Sequence, residues 1–534
     1  MPSYFCTIPK FNKQTHFQES VMKNRVKLVW HFTIVVLLLL LSSRPVLAGP
    51  SDEVRVAYQY EPATVNMLEL KRYIGIPIIL TMHERLLASD PVTGERTIKD
   101  SLSESVEVLD GKDIKFKLRK NARFHTGDPV TAHDVKFTFE EMVNPKNANV
   151  VAGPLDEIEE IEVVDDYTVI FRLYEPYAAW KELFWVGICS KEYFKKVGWK
   201  KFRSHPVGSG AFKFVEWKKG QYIQLEAVPN HPIFNVDFKT LKLMIIPDET
   251  TRLAMLETGE IDLMTDVLPI NVRRLKSRKG IVVKKEAKAP SLFAIAFRAD
   301  TYPILKDSNI GKAINHGINR QEIIDKVFLG EGYPLYMNAS KPELGWEPTV
   351  YFEFNPEKAR AFLKKSSYKP GTPLILSYSS SVPMAAMISA IVQRYLKNVG
   401  ITVKLQQLEA GTQLTYAINK DPREGHLSLF TWPGGRDPST RILLTIPSTA
   451  AMCRYTDRPK QKELDRLANA QSQELDVGKR KVLLKEMHQI LTEDAWIAVL
   501  FGLNMIYAMN DRIDYTWAAG DSHAYGLERI KIRR

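Results

Sequence analysis

Charged and apolar side chains alternate along Glu53-Val54-Arg55-Val56-Ala57-Tyr58, the pattern of a strand with one buried face. The same period of two flanks the turn residues Asp110-Gly111-Lys112, at 106–108 and 114–118, and predicts a hairpin. A second hairpin is expected from 162–164 and 168–173 around Asp165-Asp166, and further strands from 212–215, 222–225, 241–246 and 261–264. Over 131–142 the period lengthens: Thr131 offers an N-cap, and Val135, Phe139 and Met142 share one face of a helix. Helices are likewise expected at 74–87, with Pro77 in the first turn, and at 250–258, closed by Gly259 as a C′ residue. From about residue 305, helices (309–316, 320–328, 356–365 behind an Asn355 cap, 384–399 before Gly400) alternate with strands (374–378, 402–405). The last helices are expected at 462–467 and 482–491, the last strands at 497–501 and 506–508. This order predicts an α/β protein with parallel crossovers. No repeat of 20–50 residues is visible.

The N-terminus follows a different rule. Lys23, Arg25 and Lys27 form a positive head, residues 29–41 an apolar stretch, and Val46-Leu47-Ala48 a small-residue cleavage site. This is the pattern of a secretory signal, and the apolar part is too short for the roughly 20 residues of a spanning helix. Residues 1–48 are therefore expected to be removed, with Met22 as the expected start. Gly49 rather than Cys follows the cut, which disfavours a lipid anchor.

Composition narrows the function. The 534 residues carry 74 Lys/Arg against 62 Asp/Glu, and removal of 1–48 leaves 68 against 61, a net of +7. Spread over so long a chain, that charge argues against nucleic acid, and clusters such as Arg273-Arg274-Leu275-Lys276 read as solvated faces. Cys189 and Cys453 are too few for a disulfide scaffold and read as two buried thiols. No Walker A loop, Gly-x-Gly-x-x-Gly fingerprint, zinc-protease helix or Gly-x-Ser-x-Gly elbow is present. His125 and His133 have poor metal spacing and read as loop and cap residues. An exported α/β chain without catalytic signals points to a binder rather than an enzyme, with no cofactor expected.

Four segments carry a resemblance. The stretch from Leu118-Arg119 through Phe124-His125-Thr126-Gly127-Asp128-Pro129 to Thr131-Ala132-His133-Asp134-Val135 resembles Leu-Arg-x-Gly-x-x-Phe-His-Asp-Gly-x-Pro-x-Thr-Ala-x-Asp-Val of the family 5 bacterial extracellular solute-binding proteins. Here Asn121 stands for Gly and Thr126 for Asp. Pro206-Val207-Gly208-Ser209-Gly210-Ala211-Phe212, Ile246-Pro247-Asp248 with Gly259-Glu260-Ile261-Asp262, and the block around Ile318-Asn319-Arg320 are similar to later motifs of that family, in the same order. His125, Gly127 and Asp134 are read as holding a turn and capping the following helix. Gly208 and Gly210 are read as permitting backbone angles that a side chain would forbid.

The resemblance implies a two-lobed periplasmic-binding-protein type II fold (cluster C, with an extra small domain). It implies a split first lobe of 49–85, 205–298 and 505–534, an extra domain of 86–204 and a second lobe of 299–504. It also implies an ABC-importer receptor that closes on a peptide or small solute and delivers it to an inner-membrane permease, as a monomer. The alternatives are a nickel-type metal-chelate receptor, for which His426 is the available histidine, and an exported hydrolase.

Phe430-Thr431-Trp432-Pro433-Gly434-Gly435-Arg436-Asp437-Pro438 resembles the family's Gly-Trp-x-x-Asp-x-x-Asp-Pro loop, one residue shorter. In peptide receptors the first Asp of that loop pairs with the ligand's ammonium; here Gly435 occupies the position. The acidic anchor is missing unless Asp437 replaces it, and Arg436 stands beside it. The expected ligand is therefore anionic, or a peptide held without that clamp, unless Arg436 faces solvent or pairs with Asp437. Trp432, Gly434, Gly435, Arg436 and Asp437 are the candidate site residues, with Tyr73 and Ile74 lining the first lobe and Gly411 and Thr412 the second.

Overall fold

A computed structural model describes residues 52–533 except 71–74, 148, 150–151, 287–290, 342, 348–351, 381, 434–435, 451 and 518–524. The expected export segment, Tyr73, Ile74, Gly434 and Gly435 lie outside the described residues. No helix among the described residues is long and apolar enough to cross a membrane.

Three larger sheets organise the chain. The first has seven strands in the order Ile281–Glu286, Met505–Asn510, Leu263–Met264, Glu53–Tyr58, Thr240–Ile245, Tyr222–Ala227 and Phe212–Lys218. The second has six: Gly332–Pro334, Ile497–Leu503, Ser291–Phe297, Leu427–Pro433, Leu374–Ser379 and Val403–Leu408. The third is a four-stranded antiparallel sheet of Ser103–Leu109, Asp113–Leu118, Thr168–Leu173 and Ile158–Asp165. Parallel pairing is less frequent than the helix–strand alternation implied. Among the described strands it joins Glu53–Tyr58 to Thr240–Ile245 and Leu263–Met264, and Leu374–Ser379 to Val403–Leu408 and Leu427–Pro433.

Each sheet has its own core. Phe116, Phe171, Phe139 and Phe184 interlock beneath the four-stranded sheet at ring separations of 4.6–6.0 Å. Ile295, Phe501, Ile314 and Val392 lie in the core of the six-stranded sheet, and Val54, Leu243, Ile223 and Met509 in that of the seven-stranded sheet. In the seven-stranded sheet the central strands Glu53–Tyr58 and Thr240–Ile245 bury Val54, Val56, Leu241 and Leu243 in alternation with half-buried charged or polar neighbours, as the sequence pattern requires.

Local signals set several boundaries. Asp110 (φ 49°) and Gly111 (φ 71°) make the hairpin turn, and Gly259 ends the helix Glu249–Thr258 in the left-handed region. Asn355 Oδ1 accepts from the backbone N–H groups of Glu357 and Lys358 at 3.1 and 2.9 Å, capping the helix Pro356–Lys365. Asp134 caps Ala132–Val143 by accepting from Thr131 N at 3.0 Å, and its other oxygen accepts from Lys191 N at 2.9 Å.

Two expectations need correction. The helix expected over 74–87 spans only Ile76–Met82, with His83 already extended. The expected strand 261–264 is reduced to Leu263–Met264. The helix stops because Met82 O accepts from Gly210 N at 2.9 Å, while Arg85 bridges to Gly187. Gly208 and Gly210 are needed here for space, not for unusual backbone angles, since neither has a positive φ. A Cβ on Gly208 would lie 2.1 Å from Met82 O, and one on Gly210 2.7 Å from Thr81 O. His125 fastens this junction from the third sheet's side: its N–H donates to Gly208 O at 2.9 Å, and its Nε2 lies 3.0 Å from Gly210 O.

The junction also buries charge. Glu84 sits 3.8 Å from the Arg119 guanidinium and 4.0 Å from His231 Nε2. Burial pushes the Glu84 carboxyl up to about 7 despite the opposing pull of Arg119. Burial also pushes His83 and His125 down to about 4, so both rings are neutral at pH 7.

Candidate functional site

A cavity of about 1110 Å³ opens between the third sheet's body and the six-stranded sheet's body. That exceeds the roughly 300–1,000 Å³ of sites for single drug-sized molecules. One wall comes from Arg96 and the segment 178–182, which includes the helical turn Trp180–Leu183. The other comes from 343–347, Arg436, Asp437 and the first turns of the helix Val477–Glu493. The walls meet where Ala178 N donates to Ser472 O at 2.6 Å. Gly345 lets the 343–347 loop lie on that helix: it adopts φ +80°, and a Cβ there would lie 2.7 Å from Leu484 Cβ.

Asp437 lines this cavity but is occupied. Arg480, 3% exposed, donates to both of its oxygens at 2.5 and 2.7 Å and also to Ser439 Oγ at 2.7 Å. Ser439 N donates to Asp437 Oδ1 at 2.9 Å, fixing the start of the helix Ser439–Thr445. A bidentate pair of this kind leaves little for a ligand's ammonium group. Nearby, burial and the Asp437 charge raise the Tyr177 hydroxyl well above its usual range, keeping it neutral.

Arg436 also lines the cavity and does not pair with Asp437. Its carbonyl accepts from Leu344 N at 2.8 Å, tying the two loops of one wall together. Its Nε is closed off from solvent and has no hydrogen-bond partner. Trp432 lies in the strand Leu427–Pro433 opposite Leu292, packed partly buried on the core of Leu292, Leu464 and Leu484, and does not line the cavity. Gly411 and Thr412 occupy the first turn of the helix Ala410–Ile418, exposed and half-buried respectively, and do not line it either. The structure thus brings together Arg436 and Asp437 of the residues singled out in the sequence.

Sequence reasoning missed Trp180, Trp346, Glu343 and Arg480. They come from three separate segments, Glu343 and Trp346 sharing one loop, and none sits in a local motif. Glu343 is held by Arg441 through both oxygens, at 2.7 Å for Oε1. His426, the histidine available for a metal reading, stacks on Tyr302 at 3.7 Å, and its Nδ1 accepts from Ile375 N at 3.2 Å. Among the described residues no group of three or more His, Cys, Asp or Glu is placed to hold a metal ion.

Separately cored α/β bodies that face each other across a cavity define a two-lobed solute-binding protein. The model of the bacterial extracellular solute-binding proteins, family 5 (middle), matches residues 97–446, and the chain belongs to that family. Its members are solute-binding proteins rather than enzymes, extracellular or periplasmic in location. The chain is 25% identical over 481 residues to "Probable D,D-dipeptide-binding periplasmic protein DdpA" of Escherichia coli K12, covering 87% of this chain and 91% of that protein. Among solved structures it resembles the ABC transporter substrate binding protein CtaP of Listeria monocytogenes, with a TM-score of 0.80 at 20% identity over 90% of this chain and 99% of that one. It also resembles the oligopeptide-binding protein AppA of Bacillus subtilis in complex with a nonapeptide, with a TM-score of 0.76 at 23% identity over 90% and 99%. The fold is that of the type II periplasmic binding proteins.

Proposed function

We propose that this chain is the periplasmic receptor of an ABC importer that captures peptides or a related solute between its lobes and presents them to an inner-membrane permease. The family match over 97–446 carries this reading, and the cavity of about 1110 Å³ supports it. In the same reading, 1–48 is a cleaved export signal. The segments 49–85, 205–298 and 505–534 form the first lobe, 86–204 an extra domain of it and 299–504 the second lobe, and the protein acts as a monomer. Solute would favour closure only through contacts it makes better in the closed form. An extended peptide would be held by strand-like backbone hydrogen bonds in the cleft, with its side chains left in watery pockets.

The test is native mass spectrometry of the protein recovered from its own periplasm. Peptides released on unfolding support the proposal. A released metal chelate, or turnover of a hydrolase substrate panel, would replace it with a metal receptor or an enzyme.

A further inference from the structure

The cavity lining holds five cations and five carboxylates, but two of those carboxylates are matched by cations outside it. Four of its five carboxylates are taken: Glu182 by Arg96, Asp437 by Arg480, Glu343 by Arg441 and Glu347 by Lys485. The last two are matched by cations that do not line the cavity. Lys181, Lys481 and Arg436 remain, without an ion pair among the described residues, against Glu95 alone.

These three cations are not equivalent. Lys181 and Lys481 are exposed, on opposite walls, where water screens them. Arg436 is half-buried, and its Nε is enclosed without an acceptor. The enclosed Nε is out of a ligand's reach, so the part of Arg436 that a ligand can meet is its terminal fork, which has no ion pair among the described residues. A guanidinium offers a planar fork of donors that matches a carboxylate bidentately. Trp180 and Trp346, which also line the cavity, provide apolar surface for the rest of such a ligand.

We propose that Arg436 anchors a carboxylate of the captured peptide in the cavity between the third sheet and the second lobe, with Lys181 and Lys481 steering it inward. This rests on the peptide-capture reading and adds a preference for negative charge. The carboxylate can belong to an acidic side chain or to a free C-terminus, and the experiment separates the two.

Calorimetry would compare three matched peptide sets: neutral side chains with an amidated C-terminus, neutral side chains with a free C-terminus, and one Glu with an amidated C-terminus. Wild-type protein should bind at least one carboxylate-bearing set roughly ten- to a hundredfold more tightly than the neutral amide, the worth of one charge-assisted hydrogen bond. Whichever set gains identifies the source. Arg436→Gln should abolish that gain, read as the ratio of affinities for the carboxylate-bearing set and the neutral amide within each protein. The double variant Lys181→Gln/Lys481→Gln, at exposed positions, should slow association of the acidic set and flatten its salt dependence. Equal affinity of wild type for all three sets, or a gain that persists in Arg436→Gln, would overturn the inference and leave peptide capture standing. Failure of every peptide to bind would overturn peptide capture itself, and the inference with it.

Discussion

Replacing Gly208 by Ala tests the account of the junction between the bodies of the first and third sheets. The added methyl would lie 2.1 Å from Met82 O and 2.7 Å from His83 Cδ2. Favourable contacts settle near 3.5–4.0 Å, so the segment that precedes the strand Phe212–Lys218 and the helix end must part by about 1 Å. Gly208 has no positive φ, so the cost arises from space alone. The same movement stretches the bonds from Gly210 N to Met82 O and from His125 N to Gly208 O, each 2.9 Å. Overpacking costs about 1–3 kcal/mol, and each lost hydrogen bond about 1 kcal/mol. The expected loss is about 3–5 kcal/mol, a large part of the roughly 5–15 kcal/mol that holds a domain folded. Urea unfolding followed by far-ultraviolet circular dichroism measures it, with Gly153→Ala as control. Gly153 has nothing within 4 Å of a built Cβ, so its substitution should stay within about 0.5 kcal/mol. If Gly208→Ala behaved like the control, the close-approach argument would be wrong.

Glu84→Gln should change the pH profile of stability. The Glu84 carboxyl is raised from 4.5 to about 7, so between those values the folded protein binds a proton that the unfolded chain releases. Its contribution is full below pH 4.5 and is lost as pH rises through 7, by about 3 kcal/mol at roughly 1.4 kcal/mol per unit. Thermal melts should therefore show Glu84→Gln gaining on wild type from pH 4.5 to 8; the depressed histidines are common to both proteins and cancel, and parallel profiles would refute the assignment. Asp437→Asn should destabilise by about 3 kcal/mol, because it leaves the buried Arg480 guanidinium without its carboxylate. A change below about 0.5 kcal/mol in denaturant unfolding would show that Ser439 and Gln471 suffice to hold that charge. Cys189 and Cys453 are both free and buried, so a thiol reagent should label neither in the folded protein and both in denaturant, and rapid labelling of either in the folded state would contradict that burial.

What could be read from the sequence was what neighbours decide. Asp110-Gly111, the Asn355 cap and the Gly259 terminus each act within a few residues, and each appears where expected. The helix at 76–82 was overextended because its end is imposed by Gly208 and Gly210, far along the chain. The helix Lys191–Ser204 escaped notice because Gly198 interrupts it at φ 67° and lysines dilute its apolar face. The strand Ser291–Phe297 is a continuous apolar run, which periodicity cannot distinguish from a buried helix. At the site, Arg436 and Asp437 were visible through their motif. That Arg480 would claim Asp437, and leave Arg436 unmatched, depends on two distant segments meeting in the fold.

With Cys189 and Cys453 sealed inside, the described surface offers no thiol to a chemical probe. A single cysteine introduced at Glu95 and another at Glu347, exposed residues on opposite walls of the cavity, would accept a fluorescent donor and acceptor without first replacing Cys189 or Cys453. The natural sequence is thereby ready for conversion into an optical gauge of solute uptake.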